Sequence, residues 1–366
     1  MRQYQTPQRE WSVVYEQTES PCTGAQTAAR MHIGWNLGNT LDSFAPDKGL
    51  AAETAWFNPP VTRQVLQAVA DAGFDVIRIP VTWSGHFGAA PGYKLEEAWL
   101  ERVEQVIRWA MELDVYVILD MHHDGSAIPS PHAWLVPDAA HIEGVLPVFT
   151  ALWKQLAERF GAYGDKLIFE GMNEPHCGSD WVGNPERYQA VNRLNDAFVR
   201  TVRASGGINQ TRKLLLPTYA ASPKQAAIDA LVLPEDPYLL ASVHAYIPTE
   251  FCFPAREVNW AAPRTQWGTP ADHAQLTDLF DRLAKRFPEQ GIPLLLGEFA
   301  AVSKPDDAQR LAWAEYYVRE AARRGIRCLW WDDTSGREEC MGLLDRNTCQ
   351  WRYPELVQTL IRAAYA

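Results

Sequence analysis

Residues 166–175 read Lys-Leu-Ile-Phe-Glu-Gly-Met-Asn-Glu-Pro. The run Leu167, Ile168 and Phe169 has the length and character of a buried strand, yet the stretch ends in the carboxylate Glu174, between an asparagine and a proline. Strands that are apolar on both sides belong to parallel sheets covered by helices. Charges are rarely buried without partners, so the stretch predicts a parallel sheet whose strand ends carry polar groups.

Similar apolar runs recur along the chain, separated by segments whose apolar residues repeat with the 3.6-residue period of a helix. Glycines at 73, 291 and 325 come just before three of these runs, where a left-handed cap ends a helix. The predicted strands are residues 32–36, 74–79, 115–119, 167–169, 213–216, 239–243, 293–296 and 327–331. Eight strand–helix units closed on themselves predict an α/β fold, the TIM (β/α)8 barrel.

An open doubly wound sheet is the alternative fold. It is disfavoured because no Gly-x-Gly-x-x-Gly follows the first strand and nothing resembles a phosphate loop. No linker or shift in composition divides the 366 residues. We therefore expect residues 1–30 to form an N-terminal arm or partial cap, and residues 31–366 to form a single (β/α)8 catalytic domain.

Composition and charge narrow the class of partner. The chain is 47% hydrophobic and 22% charged, and its net charge of −11 comes without a basic run or stripe. These features argue against nucleic acid or an anionic membrane surface as a partner. No segment approaches the roughly 20 apolar residues that span a bilayer, and residues 1–30 lack the pattern of a signal peptide. A neutral substrate and a monomeric chain are expected, and the 15 tryptophans suit a cleft that grips sugars.

Metal binding is a further alternative. The six cysteines lie far apart without Cys-x-x-Cys spacing, which argues against a zinc site built from them. A metal-dependent barrel hydrolase would use His122, His123 and Asp124 as ligands. It would normally need His-x-His on the first strand, where residues 32–34 offer one histidine. We expect neither a metal nor a cofactor.

Polar side chains follow six of the predicted strands at their C-terminal ends, where the active site of a TIM barrel lies. Each alone has a structural explanation, such as an ion pair, a hydrogen bond or core packing. Their shared position favours a functional one. They are Arg78, residues 120–124 (Asp-Met-His-His-Asp), Asn173-Glu174, residues 244–246 (His-Ala-Tyr), Gly297-Glu298 and residues 330–333 (Trp-Trp-Asp-Asp).

Two of these carboxylates predict a chemistry. Glycoside hydrolysis uses one protonated acid for the departing oxygen and one ionised carboxylate for the anomeric carbon. Glu174 and Glu298 follow strands that lie across the barrel mouth from each other, so the two carboxyl groups can face one sugar from two sides. Arg78 would keep the nucleophile ionised, Tyr246 would donate a hydrogen bond to it or to the ring oxygen, and Asn173 would bind the sugar 2-hydroxyl.

Several strings match a known family in order along residues 31–360. They are residues 34–42 (Gly-Trp-Asn-Leu-Gly-Asn-Thr-Leu-Asp), 79–83 (Ile-Pro-Val-Thr-Trp), 173–175 (Asn-Glu-Pro), 244–246 (His-Ala-Tyr), 297–299 (Gly-Glu-Phe) and 330–332 (Trp-Trp-Asp), with Arg78 and His122. Together they resemble glycoside hydrolase family 5, the clan A cellulase family, and most closely its bacterial endo-β-1,4-glucanases. The resemblance implies a retaining double displacement with Glu174 as acid/base and Glu298 as nucleophile.

Further residues are assigned to the substrate site. Residues 332–334 read Asp-Asp-Thr where relatives often show Asp-Asn-Gly, and Ala245 replaces a frequently bulky residue, so both bear on substrate preference. Trp83, His86, Trp134, Trp181, Trp260 and Trp267 are expected in loops, as candidates for outer subsites. The residues assigned to substrate binding are Arg78, His122, His123, Asn173, His244, Tyr246, Trp331, Asn39 and Trp83.

The implied reaction is hydrolysis of internal β-1,4 linkages in a cellulose-type or mixed-linkage β-glucan polysaccharide or oligosaccharide. Xyloglucanase and β-mannanase activity remain alternatives within the family, and a non-catalytic carbohydrate-binding barrel is disfavoured because both glutamates are present. Secretion is typical of the family, but without a visible signal peptide a cytoplasmic location stays open. Glu170, four residues before Glu174, is expected to lie deeper and to partner another buried polar group.

Overall fold

Eight parallel strands close into a barrel in chain order, with β1 pairing to both β2 and β8. The computed structural model describes residues 21–125, 132–254, 257–258, 262–334, 336 and 340–366. The predicted TIM barrel is therefore confirmed. Every observed strand ends one to three residues later than predicted, so several polar residues belong to the strands themselves. The strands are β1 Ile33–Leu37, β2 Val76–Val81, β3 Tyr116–Met121, β4 Leu167–Glu170, β5 Leu214–Pro217, β6 Leu239–His244, β7 Leu294–Phe299 and β8 Arg327–Asp332.

Helices follow each strand and cover the outside of the barrel. Helix α2 shows why they form, since Thr62 caps its first turn and Val65, Leu66 and Val69 share the buried face. The α-helices are α1 Gly24–Ala29, α2 Arg63–Asp71, α3 Glu97–Met111, α4 Ile142–Arg159, α5 Pro185–Ala204, α6 Gln225–Ala230, α7 Thr249–Cys252, α8 Pro270–Arg286, α9 Asp307–Arg323 and α10 Pro354–Ala364. Strands β9 Leu344–Asp345 and β10 Gln350–Trp351 form a small antiparallel pair after β8. Among the described residues, no helix is both long and apolar enough to cross a membrane.

Helix α1 closes the base of the barrel. Its first residue, Gly24, donates a backbone hydrogen bond to the Pro237 carbonyl at 2.8 Å. Ala28 and Met31 pack against the lowest inward-facing side chains of the strands. This layer is apolar throughout and consists of Val76, Ile118, Ile168, Leu215, Leu240, Leu295 and Leu329. Residues 1–20 of the expected arm lie outside the described residues.

The next inward layer of the barrel is polar. Side chains two residues further along each strand point to the same side, because the side-chain period of a strand is two. This step leads from Val76 to Arg78, from Ile118 to Asp120 and from Ile168 to Glu170, all fully buried. The barrel therefore has an apolar base and a charged middle. Asn36 and Ser242 complete that middle layer and are also fully buried.

A bulge in β7 sets the direction of Glu298. Val243 pairs with Leu296 but the next residue of β6, His244, pairs with Glu298, so Gly297 is extra. An extra residue reverses the alternation of side chains, and Glu298 therefore points into the barrel. The bulge requires glycine, because an added Cβ would lie 2.8 Å from Nε2 of His244.

Candidate active site

Arg78 is the centre of a buried network beneath the barrel mouth. Its Nε donates to Glu170 at 2.6 Å, its Nη1 to Glu298 at 2.9 Å, and its Nη2 pairs with Asp120 at 2.8 Å. It also donates to Asn36 and Asn173 at 3.0 and 2.8 Å. Burial lowers the pKa of Arg78, but these carboxylates outweigh that effect and raise it, so the guanidinium stays charged. One cation thus fixes the orientation of several side chains.

Glu170 has the structural role expected from its depth. It is fully buried, accepts from Arg78, and accepts from the Ser242 hydroxyl at 2.7 Å. Burial raises the pKa of Glu170 and the charge of Arg78 opposes that rise. The predicted partnership with another buried polar group is confirmed, and Glu170 serves the network rather than the cleft.

Glu298 is held through both of its carboxylate oxygens. Oε1 accepts from Arg78 at 2.9 Å and Oε2 accepts from the Tyr246 hydroxyl at 2.7 Å. Burial raises the pKa of Glu298, and His244 and Arg78 oppose this effect. Burial and the neighbouring carboxylate raise the pKa of Tyr246 well above its usual value, so its hydroxyl remains a donor. Hydrogen bonds on both oxygens favour the carboxylate form and fix its direction.

Glu174 lies in a different environment from Glu298. Its side chain is 23% exposed, against 7% for Glu298, and Oε1 lies 2.8 Å from Nδ1 of His244. Burial raises the pKa of Glu174 to about 7, while His176 and Arg78 oppose the rise. A carboxyl with this pKa is protonated in part at neutral pH, as a general acid must be. Burial also lowers the pKa of His244, which is therefore neutral.

The two glutamates face each other across His244. One carboxylate oxygen of Glu174, one of Glu298 and a ring nitrogen of His244 lie within 4.8 Å of one another. This proximity fits the roughly 5–5.5 Å between the carboxyl groups of retaining glycosidases, whereas inverting enzymes leave about 6.5–9.5 Å for a water molecule.

A cleft of about 720 Å³ opens above these groups. On one flank the Trp331 ring stacks on His122 at 5.4 Å with an angle of 2° between the planes. Burial lowers the pKa of His122 well below the usual value, so its ring is neutral. The predicted substrate residues that line the cleft are His122, His123, Asn173, His244, Tyr246 and Trp331, together with the two glutamates.

Three residues assigned to substrate binding do not line the cleft. Trp83 is fully buried and packs in the core, so that assignment was wrong. Arg78 is also fully buried and acts on Glu298 and Asn173 instead of on a ligand. Asn39 adopts a left-handed turn with φ of 54°, and its backbone N–H and carbonyl bind side chains of the protein. Asn39 therefore has a structural role in this turn.

Of the residues proposed for outer subsites, some line the cleft and others do not. Trp181 lines the cleft and is 44% exposed, with its ring stacked on His176. His86 is buried against Trp99 and is structural. Trp134 and Trp267 are partly buried against the core and are not among the cleft residues. Trp260 lies outside the described residues.

The cleft contains residues that the sequence patterns did not single out. Phe253 lines it and packs against Tyr246, with ring centroids 4.6 Å apart. Ser222 and the exposed Lys224, after β5, also line the cleft. An aromatic residue shortly after β6 was the available signal for Phe253. No strand-end pattern pointed to Lys224.

The acidic residues after β3 and β8 are structural. Asp124 accepts from the backbone N–H groups of Trp83 and Ser84 and from the indole of Trp134, which argues against the alternative in which it would be a metal ligand. Asp332 accepts from the Trp35 indole at 2.9 Å, and Asp333 binds the backbone of residues 334, 341 and 342. Asp333, which departs from the family pattern, therefore holds a loop in place.

Comparisons with known proteins identify the family of the chain. The model of the cellulase family, glycosyl hydrolase family 5, matches residues 42–336. Endoglucanase A of Ruminococcus albus is 40% identical over 347 residues, covering 93% of this chain and 92% of that protein. The cellulase/esterase CelE of Acetivibrio thermocellus is 42% identical over 91% of this chain, which spans only 39% of that longer protein. A broad-specificity endoglucanase from Ruminococcus champanellensis, solved with bound cellotriose, superposes with a TM-score of 0.86 at 38% identity, covering 94% of this chain and 99% of that one.

Proposed function

The chain belongs to glycoside hydrolase family 5, and on that premise we propose that it is a retaining endo-β-1,4-glucanase with Glu174 as acid/base and Glu298 as nucleophile. The observation that carries the proposal is the placement of the two carboxylates within 4.8 Å of one another, one with its pKa raised to about 7 and the other bound at both oxygens. That difference in environment supports Glu174 as the acid/base and Glu298 as the nucleophile.

In the first step Glu298 attacks the anomeric carbon while Glu174 gives its proton to the departing glycosidic oxygen. The bond from carbon to the leaving oxygen breaks, and an ester forms between the sugar and Glu298. Arg78 and Tyr246 hold the attacking carboxylate in one direction, so its orientation is set before substrate arrives.

In the second step Glu174 acts as a base. It removes a proton from a water molecule, which attacks the same anomeric carbon and releases Glu298. Once Glu298 is esterified its negative charge is gone, and ionised Glu174 becomes easier to form. Two displacements at one carbon restore the original β configuration.

Residues around the pair have supporting roles. Asn173, fixed by the Arg78 guanidinium at 2.8 Å, is placed to bind the sugar 2-hydroxyl, a contact that strengthens in the transition state. Trp331 and Trp181 both line the cleft and offer ring faces for stacking sugars. More than one aromatic face in the cleft supports binding of several sugar units and attack on internal linkages.

The substrate class is a β-1,4-glucan of the cellulose or mixed-linkage type. The bound cellotriose and broad specificity of the Ruminococcus champanellensis enzyme support this range. Hydrolysis of carboxymethyl cellulose, barley β-glucan, xyloglucan and β-mannan should be compared by product analysis. We expect oligosaccharides of several lengths from the first two. Exclusive cleavage of xyloglucan or mannan would instead assign the alternative activities of the family.

A further inference from the structure

Three side chains on the Trp331 flank bring metal-binding atoms together. A carboxylate oxygen of Asp42 and ring nitrogens of His122 and His123 lie within 4.8 Å of one another. Asp42 follows β1 and the histidines follow β3. We propose that these side chains form a binding site for a late transition-metal ion such as Zn²⁺, and that the bound ion displaces substrate from this flank.

The distances are close to those of a zinc site. With zinc–ligand bonds of about 2.0–2.1 Å in a tetrahedron, neighbouring ligand atoms are about 3.4 Å apart. Oδ2 of Asp42 and Nε2 of His123 are 4.0 Å apart, so a small rotation closes the pair. The His123 side chain is 37% exposed and has room for that rotation.

Asp42 and His122 are already fixed in position. Asp42 is fully buried and accepts from the backbone N–H groups of Asn39 and Thr40 at 2.9 and 2.7 Å. Nδ1 of His122 lies 3.0 Å from Asp120, which leaves Nε2 to bind a ligand. Histidines that bind metal commonly place the other ring nitrogen against a carboxylate, which fixes the ring. The site therefore requires little rearrangement.

The ligand chemistry selects the ion. Imidazole nitrogens suit zinc, copper and nickel, whereas Mg²⁺ and Ca²⁺ prefer sites made of oxygen atoms. Three protein ligands leave one position for water or another ligand. Both histidines line the cleft, so an ion bound to them would lie beside the space where Trp331 would hold a sugar. Binding of the ion does not depend on the proposed function, whereas inhibition of hydrolysis by the ion rests on it.

A second group of ligands is present in the same cleft. Oxygens of Glu174 and Glu298 and a nitrogen of His244 also lie within 4.8 Å of one another. The guanidinium of Arg78 contacts Glu298 at 2.9 Å and repels a cation there. The experiment must therefore distinguish the two groups.

Calorimetric titration of the full chain with zinc chloride tests the site. We expect one ion per chain, no comparable binding of magnesium, and an affinity about 10-fold or more weaker in His123→Gln. The matched control His141→Gln changes an exposed histidine paired with Asp138, and should bind zinc like the parent. Glu174→Gln should also leave the affinity unchanged. Unchanged binding in His123→Gln, or weakened binding in Glu174→Gln, would overturn the assignment.

Competition is tested with and without catalysis. Cellotriose should lower the apparent zinc affinity, and zinc should raise the KM for a soluble β-glucan, with recovery after chelation. If zinc binds at this site yet leaves both quantities unchanged, the displacement of substrate is refuted. If the chain hydrolyses no polysaccharide, the proposed function fails while the titration still decides the metal site.

Discussion

Nη1 of Arg78 lies 2.9 Å from Oε1 of Glu298, and both side chains are almost fully enclosed beneath the cleft. The contact joins the middle of β2 to the end of β7 across the barrel. It couples the charged interior to the proposed chemistry, because the same guanidinium also holds Asn173. The stability of the fold and the proposed catalysis would therefore both depend on one cation.

Replacement of the proposed nucleophile should abolish hydrolysis without unfolding the chain. Glu298→Gln keeps the size of the side chain but cannot form the glycosyl ester. We expect kcat on a soluble β-glucan to fall by roughly 10⁴-fold or more. Circular dichroism should show native secondary structure. Substantial residual activity, with contamination excluded, would remove Glu298 from the nucleophile role.

The effect of removing the proposed acid should depend on the leaving group of the substrate. In Glu174→Ala, hydrolysis of polysaccharide should fall by about 10²–10⁴-fold, because the departing oxygen is no longer protonated. An aryl cellobioside with a good leaving group should still esterify Glu298. Azide should then accelerate turnover and give a β-glycosyl azide, seen by mass spectrometry and NMR. An α-configured product would contradict the retaining mechanism.

The pH profile should report Glu174. Burial raises its pKa to about 7, so the carboxyl holds its proton below that pH and loses it above. Because the first step needs the proton, kcat/KM should fall on the alkaline side with an apparent pKa near 7. This fall in kcat/KM at alkaline pH should be absent when Glu174→Ala hydrolyses the aryl cellobioside. A parent profile that is flat to pH 9, about two units above this value, would refute the assignment.

Removal of the buried cation should destabilise the fold. Arg78→Met leaves Asp120, Glu170 and Glu298 without their shared partner, which should lower the free energy of unfolding by about 3–5 kcal/mol. Urea titration measures the change. The control Arg63→Met removes an ion pair whose side chains are about half exposed, and should change stability by less than about 1 kcal/mol. Equal effects in the two variants would contradict the network.

The bulge at Gly297 should matter more for activity than for folding. In Gly297→Ala the new methyl group meets His244 at 2.8 Å and Ser242 at 3.1 Å, which shifts the side chains around both glutamates. We expect kcat to fall by about 10²-fold, as displacements near 1 Å do. Gly144→Ala, in helix α4 with open space around it, should instead stabilise the chain by about 0.5–1 kcal/mol. Unchanged kcat in Gly297→Ala would show that the bulge does not set the direction of Glu298.

The barrel fold could be predicted from the sequence alone. Apolar runs alternate along the chain with segments of helical period, and these patterns indicate which faces must be buried. The sequence also pointed to the proposed catalytic pair, since Glu174 follows β4 and Glu298 lies near the C-terminal end of β7. The depth of Glu170 followed from the same argument, because it ends β4 and three residues separate it from Glu174.

Which side chains reach the cleft could not be predicted from the sequence, because it depends on tertiary packing. Trp83 and Trp331 both follow or end strands, yet Trp83 is enclosed in the core and Trp331 faces the cleft. Asp42 meets His123 although they are far apart in the chain. Strand and helix periods are local and can be read from neighbouring residues. The direction of a loop side chain depends instead on packing against distant elements, which no local pattern records.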